Sequence, residues 1–320
     1  MRVDSLQSRF FAAFEGTRNA YPIAIVRVGF FGGLALHFFP SLIHLDENYT
    51  AGALRVEEWN HWLYAGLQHV PHSTLRVWSV LTMCACVMGI VGFMPRLAAI
   101  VSGLGFYAFA SFNGLPVQTL ALVDAWAILL VWMICGGGAE ALSVDAYLAK
   151  RRAAGKGRVD EKAPDPPRAP KLLSALILYQ VILGTFFAGV EKVLADWPRT
   201  NEMGILLNYP RGFVVRDWVA ASSWLHGAAI THSFTWLTLF VELGAPVVFV
   251  LGRPRARALV LVVFEAFFLG IVAMLQVPPL FYGIFAVGGL LVLDDAQVEA
   301  VTARLRRLNP LRRRELPRRS

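Results

Sequence analysis

The chain has 320 residues, of which 56% are hydrophobic and only 16% carry a charge, and its net charge is +8. Soluble globular proteins carry about 25% charged residues, so this composition excludes a pair of soluble domains, a disordered chain and a coiled coil. The apolar residues form blocks of about 20, the length that a helix needs to cross a membrane. Outer-membrane barrels show short alternating strands instead. The sequence therefore predicts an all-α, polytopic transmembrane helical bundle.

Eight spans can be drawn along the chain. Each is a long apolar run, and the charged residues collect between the runs. The predicted spans are 21–40, 77–94, 97–112, 117–135, 172–194, 232–251, 257–275 and 279–293.

The distribution of Lys and Arg predicts the orientation. With both termini cytoplasmic, the inner segments hold 23 of these residues and the outer segments hold five. Such an excess is the positive-inside pattern of a membrane protein, not the basic surface of a nucleic-acid-binding protein. The long outer segments 41–76 and 195–231 are expected to form interfacial caps. The charge pattern is typical of a protein of the bacterial cytoplasmic membrane. All seven histidines fall on the outer side of this topology, so the active face is expected to point outward.

The chain is predicted to form one membrane domain with two four-span halves, 1–148 and 172–293. Residues 149–171 are charged, rich in proline and without apolar periodicity, which is typical of a cytoplasmic loop. Residues 294–320 form a basic cytoplasmic tail. We expect this tail to contact anionic headgroups, so membrane lipid is a predicted partner and nucleic acid is not.

Motifs of soluble enzymes, such as a phosphate-binding loop or Gly-x-Ser-x-Gly, are missing from the sequence. The histidines lack the cysteine and carboxylate partners of a good site, so no metal is expected. Ionisable residues within the spans remain, and because a charge is costly there they are functional candidates. They are Arg27, Asp124, Glu191, Lys192, Glu242 and Glu265.

Lys192 lies near the outer end of the fifth span, in TFFAGVEKVLADW. The helix face below it carries Thr185 and Gly189, and such small residues leave room for a neighbouring helix or a ligand. A lysine desolvated there loses its proton more easily and can act as a general base. The alternative is a lysine whose amine extends to the outer headgroups without a catalytic role.

Three carboxylates lie deep in the predicted spans. Asp124 has a depth similar to that of Lys192, which makes an ion pair between them possible. Pro246 removes the backbone donor for the carbonyl of Glu242, so a kinked helix is expected there. Glu265 has a depth similar to that of Glu242. For each acid the alternative is a structural contact between helices.

The segment AGVEKVLADW at 188–197 resembles a segment of the HTTM family, the membrane-domain relatives of vitamin K-dependent γ-carboxylase. Four further pieces resemble the family and occur in its order. They are YPIAIVRVGF at 21–30, GIVGFMPRLAAI at 89–100, SVDAYL at 143–148 and FVELGAP at 240–246.

The resemblance implies a lysine-based enzyme whose pocket faces the outer side. Lys192 falls on the family's base lysine, which deprotonates reduced vitamin K. Oxygen then adds, and the resulting alkoxide removes a proton from a peptide glutamate, to which carbon dioxide adds. A reduced quinone would then be the cofactor, and a peptide the substrate. We assign catalysis to Lys192, Asp124 and Glu242, and substrate or cofactor binding to five further residues: Glu191, Trp197, Glu265, Thr185 and Gly189.

Two other functions remain open. In the family enzyme an Asn-Asn-His segment falls near residues 111–119, where this chain reads SFNGLPVQT without a histidine. A non-catalytic membrane accessory for the maturation or export of a secreted peptide is the first alternative. A lipid-binding or transport bundle that uses its buried acids as proton or ion sites is the second.

Overall fold

The computed structural model describes residues 14–43, 70–110, 118–135, 141–155, 167–208, 214–276 and 279–308. Helices dominate the described chain: α1 Tyr21–Ile43, α2 His72–Val91, α3 Pro95–Ala110, α4 Gln118–Cys135, α5 Val144–Gly155, α6 Lys171–Leu194, α7 Trp197–Thr200, α8 Glu202–Asn208, α9 Asp217–Ala220, α10 Ala228–Leu239, α11 Ala245–Leu251, α12 Pro254–Met274, α13 Pro279–Gly288 and α14 Asp295–Leu308. A π-helical turn, Phe240–Gly244, joins α10 to α11, and 3-10 turns occupy Ser223–His226 and Gly289–Val292. The strands are β1 Thr17–Asn19, β2 Arg168–Pro170, β3 Val214–Val215 and β4 Leu275–Gln276.

The predicted helical fold is confirmed, and a helix lies at each of the eight predicted span positions. Among the described residues, five helical segments are long and apolar enough to cross a membrane: Tyr21–Phe39, His72–Val91, Lys171–Leu194, Ala228–Leu251 and Pro254–Met274. Pro95–Phe106 and Gly283–Val292 are shorter apolar helices. The described chain is therefore an apolar helical bundle compatible with an integral membrane protein, and the number of eight spans stays a prediction.

One hydrophobic core joins the two halves of the chain. Helix α1 packs against α2 and α13, while α4 packs against α3 and α6. The largest fully buried apolar side chains are Phe30, Phe31, Phe38, Phe106, Trp132 and Phe264. Because α1 and α4 come from the first half and α6 and α13 from the second, the two halves share this core. A smaller apolar cluster lies within the second half and consists of Leu207, Val215, Val219, Leu225 and Leu275.

A two-stranded ribbon ties α1 to α6 at one end of the bundle, which we call the ribbon end. Strand β1 pairs antiparallel with β2, with Thr17 opposite Pro170. The guanidinium of Arg18 donates to the carbonyls of Leu291 and Leu293, which follow α13. The starts of α1 and α6 and the end of α13 therefore lie together.

The segment 149–171 is more ordered than its composition predicts. Helix α5 continues through Gly155, and residues 168–170 form β2. The carboxylate of Asp145 accepts a hydrogen bond from the backbone of Met94, at 2.9 Å, which fixes the first turn of α5. Only residues 156–166 of the predicted loop lie outside the described chain.

Arg27, one of the ionisable residues that the sequence places within the spans, is buried near the ribbon end. Its Nη2 donates to the carbonyl of Leu142 at 2.6 Å, and its side chain is fully buried. Gly92 ends α2 with a φ of 67°, and a Cβ there would lie 2.7 Å from the Arg27 guanidinium carbon. Arg27 therefore binds the turn after α2 to the start of α5, because glycine leaves space for it.

Short elements cover the opposite end of the bundle, which we call the cap end. The cap consists of residues 195–208 and 214–226 and contains α7, α8 and α9. Strand β3 pairs with β4 at the end of α12, and the indole of Trp218 donates to the carbonyl of Ala273 at 2.8 Å. The described residues of the predicted segment 195–231 are thus folded onto the helices, and most of the segment 41–76 lies outside the described residues.

Candidate functional site

Lys192 forms an ion pair with Glu242 at the cap end of α6. Its Nζ lies 2.8 Å from both Oε1 and Oε2 of Glu242, and 3.4 Å from the carbonyl of Ala188. An ammonium has three N–H donors, so these three acceptors match its donors in number. The side chains of Lys192 and Glu242 are only 21% and 11% exposed, so the ion pair is largely buried within the protein.

The π-helical turn Phe240–Gly244 carries Glu242, close to the kink that the sequence predicted. Pro246 has no N–H and cannot donate to the carbonyl of Glu242, as residue i+4 does in an α-helix. Ala245 still donates to the carbonyl of Val241. The proline therefore interrupts the hydrogen-bond ladder just where the helix widens. Because each widened turn alters the angular position of the side chains, the π-turn contributes to the direction of Glu242.

Gly189 permits the close approach of α6 to this π-turn. A Cβ on Gly189 would lie 2.8 Å from Cδ2 of Leu243 and 3.0 Å from Cβ of Glu242. Such distances are shorter than atomic contacts allow, so only glycine fits without a shift. Thr185, one turn further down, is buried and donates its hydroxyl proton to the carbonyl of Val181 at 2.7 Å. The small-residue face predicted below Lys192 is the face that packs here.

Trp197 covers the amine from the cap. Nζ of Lys192 lies 5.2 Å from the centroid of the Trp197 ring, within the range of a cation–π contact. Asp196, with a φ of 61°, turns the chain after α6 so that the next helix folds back toward the lysine. The candidate site is therefore an ammonium held between one carboxylate and one aromatic face.

The other predicted site residues do not all join this cluster. Glu191 is exposed, although it is next to Lys192 in sequence. Oε1 of Glu265 is buried without a hydrogen-bond partner among the described residues, in contact range of Gly289 instead of Lys192. The side chain of Asp124 lies outside the described part of the structure. The carboxylate observed at Lys192 is that of Glu242, where the sequence favoured Asp124 as the first partner.

A buried threonine row on α10 was not predicted. Thr231, Thr235 and Thr238 are buried and share one helix face with Glu242, at spacings of four, three and four residues. Each hydroxyl donates to a carbonyl of its own helix, for example Thr235 to Thr231 at 3.1 Å. The amide of Asn201 donates to the hydroxyl of Thr231 at 2.9 Å. The spacing was readable in AITHSFTWLTLFVE, but single threonines are common in membrane helices.

Comparison of the chain with protein families, with characterised proteins and with solved structures gives no match. The HTTM resemblance therefore rests on the residues of this chain alone.

Proposed function

We propose that the chain is an enzyme of the bacterial cytoplasmic membrane in which Lys192 acts as a general base on a lipophilic hydroquinone. The observation that carries this proposal is the contact of both Glu242 oxygens with the Lys192 ammonium, beneath the ring of Trp197. The resemblance of AGVEKVLADW to the family's base-lysine segment supports the same role.

The ion pair provides a route for the proton. Transfer of one proton from the Lys192 ammonium to Glu242 leaves a neutral amine beside a carboxylic acid. The amine can then take the hydroxyl proton of a hydroquinone, which gives a hydroquinone anion and restores the ammonium. Glu242 is thus the immediate acceptor that activates the base, and a low-dielectric setting favours a pair of neutral partners over two separated charges.

Trp197 offers a flat apolar surface beside the amine. Aromatic rings pack well on such faces, so a hydroquinone ring resting against Trp197 would bring its hydroxyl close to Nζ. The long apolar tail of the substrate would extend into lipid. A peptide glutamate is the second substrate that the family resemblance implies.

The direct test uses the purified protein in lipid nanodiscs with vitamin K hydroquinone and oxygen. The reaction to be measured converts hydroquinone and O₂ into the epoxide and water. Mass spectrometry detects the epoxide. We expect product with the parent protein and none with Lys192→Ala or Lys192→Arg. Arginine keeps the charge but does not give up its proton.

Lys171→Arg is the matched control, because Lys171 begins the same helix at the ribbon end. This variant should keep the parent rate. Absence of epoxide with the parent protein would exclude the hydroquinone as substrate. Full activity of Lys192→Arg would exclude Lys192 as the general base.

A non-catalytic membrane accessory for the maturation or export of a secreted peptide is the second candidate. The same ion pair supports this candidate, because a lysine with a purely structural role would also join α6 to the π-turn through Glu242. A structural role requires charge but no proton transfer. Under this alternative Lys192→Arg keeps function and Lys192→Ala loses it.

A further inference from the structure

Two helices at the ribbon end, α5 and α14, are built in the same way. Each follows an apolar helix, α4 or α13, and each has an aspartate in its first turn. Asp145 accepts a hydrogen bond from the backbone N–H of Met94, and Asp295 accepts one from that of Asn19, both at 2.9 Å. The first turn of each helix is therefore bonded to another part of the bundle.

The start of α14 is fixed by further contacts. Asp294 and Gln297 form a reciprocal capping box, in which each side chain accepts from the other residue's backbone N–H at 2.8 and 3.0 Å. The amide of Gln297 also donates to the carbonyl of Pro254, the first residue of α12, at 3.0 Å. These bonds define the direction in which α14 leaves the bundle.

An apolar stripe on α14 begins on the bundle and continues past it. Val298 is 5% exposed, whereas Val301 is 52% and Leu305 is 61% exposed. Their spacing of three and four residues puts them on one helix face. Helix α5 carries a similarly exposed apolar residue, Tyr147. Val298 is therefore covered by protein, whereas Val301 and Leu305 are exposed on the same helix face.

Basic residues occupy the second half of both helices. Helix α5 contains Lys150, Arg151 and Arg152, all exposed, and α14 contains the exposed Arg304 followed by Arg306 and Arg307. A helix with an apolar stripe and flanking arginines is suited to the boundary between acyl chains and headgroups. Guanidinium groups bind phosphate oxygens strongly, and each basic residue near an anionic membrane adds to the attraction.

We propose that α5 and α14 lie on the surface of the membrane that holds the bundle and bind anionic phospholipid headgroups. Each helix is tied at its first turn, and its second half extends over the headgroups. The apolar stripe of α14 enters the acyl-chain boundary, and Arg304, beside the stripe, contacts phosphate together with the exposed basic residues of α5. This surface is independent of the Lys192 site.

The test measures the depth of α14 in nanodiscs. Single cysteines at Leu305 and at Ala303, introduced after replacing Cys84, Cys86 and Cys135 by alanine, carry an environment-sensitive fluorophore. Ala303 lies nearly opposite Leu305 on the helix and is its matched control. We expect lipids brominated near the carbonyl region to quench the Leu305→Cys probe several-fold more than the Ala303→Cys probe. Equal quenching at both positions, or none at either, would overturn the proposal.

The anionic preference is measured with the Leu305→Cys probe in equal mixtures of phosphatidylcholine and phosphatidylglycerol. One preparation has the neutral lipid brominated, and the other has the anionic lipid brominated. We expect several-fold stronger quenching by brominated phosphatidylglycerol, reduced by high salt. The combined change Arg304→Gln and Arg306→Gln, at the two positions that flank Leu305 on the helix, should abolish the difference, with circular dichroism to verify folding. Equal quenching by both lipids with the unchanged arginines would contradict headgroup binding.

Discussion

Lys192 and Glu242 form a contact whose energy depends on both partners. Removing two charges from water is costly, and their attraction recovers that cost only with good geometry. Here both carboxylate oxygens and the Ala188 carbonyl accept from the one ammonium. The pair therefore contributes little net stability as a unit, whereas either residue alone would leave an uncompensated charge in the bundle.

The first prediction follows from this asymmetry. Lys192→Met leaves Glu242 without its cation and should lower the free energy of unfolding by about 3 kcal/mol. The double variant Lys192→Met with Glu242→Leu removes both charges and should recover most of that loss. Thermal unfolding in detergent measures both effects. A double variant as unstable as the single one would contradict the assigned pairing.

A charge exchange separates stability from chemistry. Lys192→Glu combined with Glu242→Lys keeps two opposite charges in contact, and its melting temperature should exceed that of Lys192→Met. The amine then projects from the π-turn instead of α6, so the proposed base is displaced from Trp197. Epoxide formation should stay absent. Recovery of both the melting temperature and epoxide formation would contradict the proposal that the base must project from α6.

At the scale of helices, the packing of α6 on the π-turn depends on one missing methyl group. The Cβ that Gly189→Ala introduces would lie within 3.0 Å of Leu243 and Glu242. We expect Gly189→Ala to lower the stability by about 1–3 kcal/mol, the usual cost of overpacking. The melting temperature in detergent is the measurement.

Gly270→Ala is the control for this substitution. Gly270 lies within α12, and a Cβ there meets nothing within 4 Å. Alanine should therefore stabilise the helix by up to about 1 kcal/mol. Equal effects of the two substitutions would mean that the α6 contact is looser than the structure describes.

Pro246 is expected to maintain the π-turn. Pro246→Ala restores an N–H that can bond the carbonyl of Glu242, so the turn should relax toward an α-helix and rotate the carboxylate away from Lys192. The interaction energy between the two residues, measured by a double-mutant cycle, should then decrease. An unchanged interaction energy in the Pro246→Ala background would show that the proline does not orient Glu242.

The sequence specified the helices and the chemistry-bearing residues better than the contacts between them. Apolar runs bounded by charges identify α6 and the Ala228–Leu251 segment, and a charge inside such a run identifies Lys192 and Glu242. Depth estimates from linear spans favoured Asp124 as the partner of Lys192. They could not show that the π-turn Phe240–Gly244 packs on α6 at Gly189, because such contacts depend on which surfaces meet in three dimensions.

Across the whole molecule, the described contacts define two opposite ends of the helical bundle. The starts of α1 and α6 meet the end of α13 at the ribbon end, while the cap lies beside Lys192 and the end of α12. The charge distribution predicts that the ribbon end faces the cytoplasm. What composition could not supply is the ribbon itself, since strands of three residues carry no periodic signal.

Labelling from each side of the membrane tests this orientation. Cysteines replacing the exposed residues Ala220, in the cap, and Glu299, in α14, should react with an impermeant thiol reagent from opposite sides. The reagent should reach Ala220→Cys in intact cells and Glu299→Cys only after the membrane is opened. Labelling of both in intact cells would reverse or break the assigned topology.

The ribbon also constrains the order of biosynthesis. Strand β1 precedes the first apolar helix, and its partner β2 leaves the ribosome only after α1 to α5 have been made. The strand β1 at the amino end of α1 therefore remains unpaired until translation reaches residue 170. An insertion machine or a chaperone that shields this end would act during that interval. Pairing of β1 with β2 is then the earliest contact that can align the second half of the chain with the first.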